Sequence, residues 1–316
     1  MAPQRLPDPL SDQAAPETIS RARAIAQGPA ATHHYETQLR RIWRRFVGHR
    51  LAVIGACVVL GLLAMALLAG WVSPHDPLAL DTQRRFIPPL QNSSFILGTD
   101  EMGRDILSRL FFGGRISLVV GIAAMFATIV TGMTIGVISG FYGGRVDNLL
   151  MRFTDTMLCF PQVFLLLVLA AFITPTVISI ALIIGLTSWM EVARIIRAQI
   201  QYIKEQDFVQ AAFALGASEA RIMFRELLPN AVAPVMVSAT LNVANAVLME
   251  SYISFLGYGI QPPLASWGNM LTNAQSYFDL APWLAILPGI MITLTVMSFN
   301  FLGDGLRDAL DPRLRM

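Results

Sequence analysis

Residues 206–229 read QDFVQAAFALGASEARIMFRELLP, a polar and charged insert between two strongly apolar stretches. Phe208, Val209, Ala212, Phe213 and Leu215 recur at helical rather than strand spacing. Gly216 suits the position just past a helix end, where a left-handed backbone is easiest without a Cβ. Ser218 can cap a second helix, and Glu219 then sits in a first turn that favours negative charge. Pro229 stands near the entry to the next apolar stretch. An ordered elbow between membrane spans is expected to be a docking point for another protein. The chain then reads as the membrane half of a machine whose motor is a separate polypeptide.

Composition agrees. Of 316 residues, 54% are hydrophobic and 14% charged, and the mean hydropathy is +0.56. Soluble domains carry about 25% charge. The class is therefore a polytopic membrane protein. The net charge of +2 gives no reason to expect nucleic acid as a partner. Lys204 is the single lysine, and Ile203 precedes it, so the Gly-Lys pair of a phosphate-binding loop is missing. Nucleotide hydrolysis by that route is excluded. The two cysteines, Cys57 and Cys159, lack metal-ligand spacing and read as small buried hydrophobes. His33, His34, His49 and His75 have no partner at ligand spacing. No H-E-x-x-H, G-x-S-x-G or paired carboxylates on one helix occur, so no catalytic residues and no metal site are assigned.

Charge-free runs locate the spans, since about 20 apolar residues cross a bilayer. They fall at 51–72, 116–140, 227–249 and 280–303, with two more in 156–190. That last run would be about 52 Å as one helix, and Thr174-Pro175-Thr176 splits it. The expected fold is all-α with six transmembrane helices. Residues 1–38 read as a disordered polar tail with no cleavable signal peptide. Residues 39–72 form an amphipathic segment and the first span, and 73–115 an outer segment. A core at 116–303 carries the elbow at 204–229, and 304–316 is a short tail. Residues 250–279 hold Gly257, Gly259, Pro262, Pro263 and Gly268. They read as a loop, either re-entrant or lying outside the bilayer. Fifteen Arg/Lys residues flank the spans on the side of the elbow and five lie on the other. The positive side faces the cytoplasm, which places both termini and the elbow there.

Several residues within the spans invite two readings. Gly132, Gly136, Gly140 and Gly144 repeat every four residues, as at close helix contacts in lipid. Packing within the bundle is the plainer reading and gating the other. Pro161 should kink the third span, either opening a cavity or tolerated by its neighbours. Glu191, Arg194, Glu250 and Asp304 fall at expected helix ends, with Glu191–Arg194 an i,i+3 pair. Glu250 opens the outer loop, where a pathway would begin. Asn242, Asn245 and Asn300 either bond between helices or line a polar path. Asn242, Asn245 and Glu250 are the pathway candidates.

The elbow resembles the cytoplasmic loop of type I ABC importer permeases, E-A-A-x-x-x-G followed by Leu-Pro. Here it reads Gln210-Ala211-Ala212, Gly216 and Leu228-Pro229, with Gln210 in place of the usual Glu. Residues 97–109, LGTDEMGRDILSR, are similar to the outer segment of the dipeptide/oligopeptide/nickel branch. So are Arg115-Ile116-Ser117-Leu118, Tyr142-Gly143-Gly144 with Asp147, Met151-Arg152 with Asp155, and Ala193-Arg194 with Arg197. Residues 254–263, SFLGYGIQPP, and Ser266-Trp267-Gly268 continue the likeness, although Ala265 replaces a customary proline. The resemblance spans about 42–313, and the long N-terminus with its extra span points to the second of two paired permeases. It implies a homologous permease partner, two ATPases that bind ATP and Mg, and an external substrate-binding protein. The ATPase-docking residues would be Gln206, Asp207, Phe208, Gln210, Ala211, Ala212, Leu215, Gly216 and Ala217. The cargo would be di- or oligopeptides, with nickel, glutathione or another small solute as alternatives. From another class, a channel or membrane assembly factor also fits an elbow that recruits a partner.

Overall fold

The computed structural model describes residues 38–310, so the N-terminal tail, His33, His34 and residues 311–316 lie outside the described residues. The chain divides into Met1–Arg41 and Ile42–Met316. Of the first unit only 38–41 are described, as the start of helix α1 (Gln38–Gly48).

Among the described residues of the second unit the regular elements are helices, apart from two isolated bridges in 92–105. Its long helices are α2 (Arg50–Val72), α3 (Ile106–Tyr142), α6 (Val177–Lys204), α8 (Val232–Phe255) and α10 (Trp283–Leu310). All five are long and apolar enough to cross a membrane. The third expected span is a broken pair, α4 (Gly144–Leu158) and α5 (Gln162–Phe172), bent by 83°. Pro161 does not kink a continuous helix. It sits before α5 with an extended backbone, because its ring and missing N–H cannot continue the ladder from α4.

The helices overrun the charge-free windows. At 37 residues α3 begins at Ile106, ten residues ahead of expectation, and α10 continues into what was expected as a tail. Charges end a hydrophobic run without ending a helix. Arg109, inside α3, is buried against Asp100 at 3.5 Å.

The glycine stripe is a contact surface between α3 and α6. A Cβ on Gly132 would lie 2.8 Å from that of Val192, one on Gly136 2.7 Å from the Ala193 carbonyl oxygen, and one on Gly140 2.9 Å from the Arg197 carbonyl oxygen. Only glycine lets the backbones come this close. Gly144 departs from the stripe: it opens α4 with φ of +53°. The packing reading thus holds for three of the four glycines. A second close contact joins the first span to the last. A Cβ on Gly55 would meet the Ser298 carbonyl oxygen at 2.7 Å, and one on Gly305 would meet the Ala52 Cβ at 2.1 Å.

Outside the spans, 73–105 fold into a compact segment around buried ions. Asp100 accepts from Arg104 Nε at 2.6 Å, and Arg104 Nη2 reaches Glu101 at 3.2 Å. Residues 256–266 form the Gly/Pro loop, which ends in helix α9 (Trp267–Thr272), capped by Ser266. The Trp267 ring is fully buried and donates to the Leu110 carbonyl at 3.0 Å.

Cys57 and Cys159 are exposed rather than buried. Cys57 lies on the outward side of a membrane-length helix, where an apolar thiol needs no partner.

Candidate functional site

The elbow begins where α6 ends. Helix α7 (Asp207–Ala214) follows after a two-residue break. Its end is a Schellman motif: Ala217 N–H donates to the Ala212 carbonyl and Gly216 N–H to that of Phe213. Gly216 has φ of +75°, a region that penalises every residue with a Cβ. Ser218 then caps the turn Glu219–Arg221 by accepting from Arg221 N–H. A π-helix, Ile222–Leu227, leads to Leu228–Asn230 and then into α8. π-Helical segments are rare and cluster at functional sites. No pattern in the sequence distinguished this one from an α-helix.

The elbow has an inner and an outer face. Val209, Ile222 and Leu227 are wholly buried, and Phe213 stacks on Phe141 with centroids 6.3 Å apart. The outer face presents Phe208, Leu215 and Phe224, which are 46%, 87% and 70% exposed. Asp207, Ala211 and Gly216 are exposed with them, while Gln206, Ala212 and Ala217 are half-buried. Gln210, the residue standing for the usual Glu, turns its amide back to the Lys204 carbonyl at 2.8 Å. It braces the α6–α7 junction. The sequence reading did not pick out Phe224; its place four residues before Leu228 hid it within an apparently regular apolar face.

Braces fix this elbow to the ends of α3 and α6, and fix α6 in turn to α4. Lys204 Nζ donates to the Phe141 carbonyl at 2.6 Å and lies 5.4 Å from the Phe141 ring centroid. Tyr142 and Glu219 bond at 3.2 Å. Arg197 engages both oxygens of Asp147, whose carboxylate also accepts from Ser139. Arg194 pairs with Asp155, not with Glu191, so the expected Glu191–Arg194 pair does not form. Glu191 and Asp304 lie within long helices and are exposed. The glycine contact holds α3 against α6 next to these braces.

At the opposite end of the bundle Glu250 is not at a helix end. It lies inside α8 and is fully enclosed. Ser117 Oγ donates to one carboxyl oxygen at 3.0 Å and Ser254 Oγ to the other at 2.7 Å. Each hydroxyl in turn accepts a backbone N–H: Trp267 onto Ser117 at 3.1 Å, Ile260 onto Ser254 at 3.2 Å. The carboxyl group thus ties α3 and α8 to the middle of the outer loop, at Ile260, and to its end, at Trp267. Asn242 and Asn245 are half-buried, and Asn242 donates to the Ser238 carbonyl of its own helix at 2.8 Å. The structure does not bring the two asparagines together with Glu250 into one polar lining. Among the described residues, no group of three His, Cys, Asp or Glu could hold a metal ion.

An all-helical bundle with a braced elbow between membrane-length helices defines a polytopic membrane protein. The profile of the binding-protein-dependent transport system inner membrane component matches residues 132–316, and that of the N-terminal membrane domain of oligopeptide transport permease C matches 37–89. The chain belongs to the binding-protein-dependent transport system inner membrane component family, as the motifs implied. It is 38% identical over 285 residues to the di/tripeptide transport system permease protein DppC of Pseudomonas aeruginosa, covering 89% of this chain and 94% of that protein. It is 36% identical over 271 residues to the oligopeptide transport system permease protein OppC of Bacillus subtilis, covering 86% and 88%.

Proposed function

We propose that this chain is one of two permease subunits of an ATP-driven peptide importer in a bacterial inner membrane. Its relatives are named for peptide transport at 36–38% identity over nearly their full length, and that observation carries the substrate class. A homologous permease completes the pathway, and an external binding protein delivers the peptide. Two ATPases take up the elbows and supply the energy, and this chain breaks no bond itself. The fifteen basic residues on the elbow side support a cytoplasmic position for that side and for both termini.

The elbow supports coupling by its construction. Its outer face exposes the apolar Phe208, Leu215 and Phe224 to a partner, and its inner face is braced to α3 and α6. Movement of an ATPase seated on Phe208, Leu215 and Phe224 would rock those helices as one body, giving alternating access. Asn242 and Asn245 are the remaining pathway candidates. Glu250, enclosed by its own chain, acts instead by holding the outer loop.

The test is uptake by a strain lacking the gene, with labelled di-, tri- and longer peptides beside labelled nickel. Loss of peptide uptake alone, restored by the gene, is the expected result. Loss of nickel uptake alone would overturn the substrate class. Passive flux through proteoliposomes holding this chain alone would overturn the importer in favour of a channel.

A further inference from the structure

Contacts with α6 fix the depth of the break between α4 and α5. Helix α6 runs from the turn at 174–176 to the elbow. Gln162, the first residue of α5, donates from Nε2 to Ser188 Oγ on α6 at 2.8 Å. Ser188 follows the start of α6 at Val177 by about 16 Å, at 1.5 Å per residue. Asp155, near the end of α4, pairs with Arg194, about 25 Å along the same helix. The hydrocarbon core of a bilayer is about 30 Å thick. The break at 159–161 therefore lies near mid-membrane. Helix α5, with 11 residues, covers about 16 Å and crosses only the outer half.

Irregular backbone at that depth is tolerated only where protein covers it or water reaches it. This chain does not cover it, since Cys159, Phe160 and Pro161 are all exposed. Phe164 and Leu165 N–H both turn to the Pro161 carbonyl, and among the described residues no side chain caps the first turn of α5. Polar side chains continue from the break toward the elbow. Ser188, Glu191 and Arg194 follow at three-residue steps along one face of α6. Glu191 and Thr156 are exposed, and the side chains of Arg194 and Asp155 are 51% and 56% exposed. Ionised groups within a span face water or other protein groups, not acyl chains. Open backbone and exposed charge thus share one surface from mid-membrane to the elbow side.

We infer that the α4–α5 break is a wall of an aqueous path open to the cytoplasm. Cys159, Phe160 and Pro161 stand at its mid-membrane end, and Glu191, Arg194 and Asp155 along its inner part. The inference rests on the proposed reading of the chain as a permease and adds to it a stretch of the pathway that no single polar residue of the sequence marks.

The chain's two cysteines supply the test. Cys57 is exposed like Cys159. It lies about 10 Å from the start of α2, but between Ile54 and Leu60, which are 55% and 65% exposed on an apolar face. Thiolate is the reactive form of cysteine and forms in water, so a membrane-impermeant sulfonated methanethiosulfonate separates the two positions. The experiment uses inside-out vesicles holding the assembled transporter and reads the loss of maleimide labelling after denaturation. Cys57→Ala, which leaves Cys159, should lose nearly all of its labelling to the reagent. Cys159→Ala, which leaves Cys57, should lose almost none. Equal loss in the two variants, large or small, would overturn the inference; equally small loss would put lipid or the second permease over the break. Loss at Cys159 only in right-side-out vesicles would overturn it as well, by opening the break to the outer side. The readout needs no cargo. An unmodified Cys159 beside intact peptide uptake would refute this wall alone, and a modified Cys159 without peptide uptake would refute the cargo alone.

Discussion

Replacing Glu250 by Gln changes the carboxyl group by one atom and should open the outer loop. Both carboxyl oxygens accept, and both hydroxyls that serve them are already committed by an incoming backbone N–H. An amide keeps one acceptor and puts an NH2 where the other stood. One serine hydrogen then has to turn away, and its bond is lost. A hydrogen bond to such a group stabilises by roughly 1.5–3 kcal/mol, and the relief of no longer enclosing an acid offsets part of that. The net cost is about 2 kcal/mol for Gln and about 3–4 kcal/mol for Met, which removes both acceptors. The loss is local, so the assay is hydrogen exchange of the loop. The Ile260 and Trp267 amides should exchange about 30-fold faster in Glu250→Gln, while the α3–α6 interface keeps its protection. Faster exchange in Met than in Gln completes the series. A Met variant as protected as wild type, as happens when a buried polar group gives way to a well-packed apolar one, would refute the bookkeeping.

Other expectations come from the same geometry. Gly136→Ala places a Cβ 2.7 Å from the Ala193 carbonyl oxygen. The backbone cannot yield without parting the helices, so a cost of about 1–3 kcal/mol should appear as a lower melting temperature of the purified chain. Asp100→Asn deprives buried Arg104 and Arg109 of their shared carboxylate. A loss of about 3–5 kcal/mol is expected, read as faster proteolysis of residues 73–105. Phe224→Ser acts on a side chain that is 70% exposed. Stability should stay within about 0.5 kcal/mol of wild type, while peptide-stimulated ATP hydrolysis by the assembled transporter falls; unchanged coupling would remove Phe224 from the docking face.

The elbow was legible because its signals are local. Gly216, Ser218 and the apolar spacing from Phe208 to Leu215 each state a backbone requirement within four residues. The spans were legible from missing charge. Their ends were not, because Arg109 and Lys204 sit inside helices whose charges find partners in other elements. The break at Pro161 was visible as a proline, but an 83° turn and a kink begin from the same residue. Glu250 was placed at a helix end because its nearest neighbours in the chain include a Gly/Pro loop. Its partner Ser117 lies 133 residues away, a separation that no local pattern reports. Asp147 meets Arg197 across 50 residues, and only the neighbouring basic residues hinted at a need for acids there.

The contact of α2 with α10 has a bearing on how the chain is made. Gly55 and Ala52 are shaped to receive Ser298 and Gly305, yet about 240 residues separate the two surfaces. At roughly 5–20 residues per second, the first span waits some tens of seconds in the membrane before its mate is synthesised. Helix α10 therefore meets the first span only after everything between them has been made. Until then the small residues Ala52 and Gly55 on α2 lack the helix they are shaped to meet.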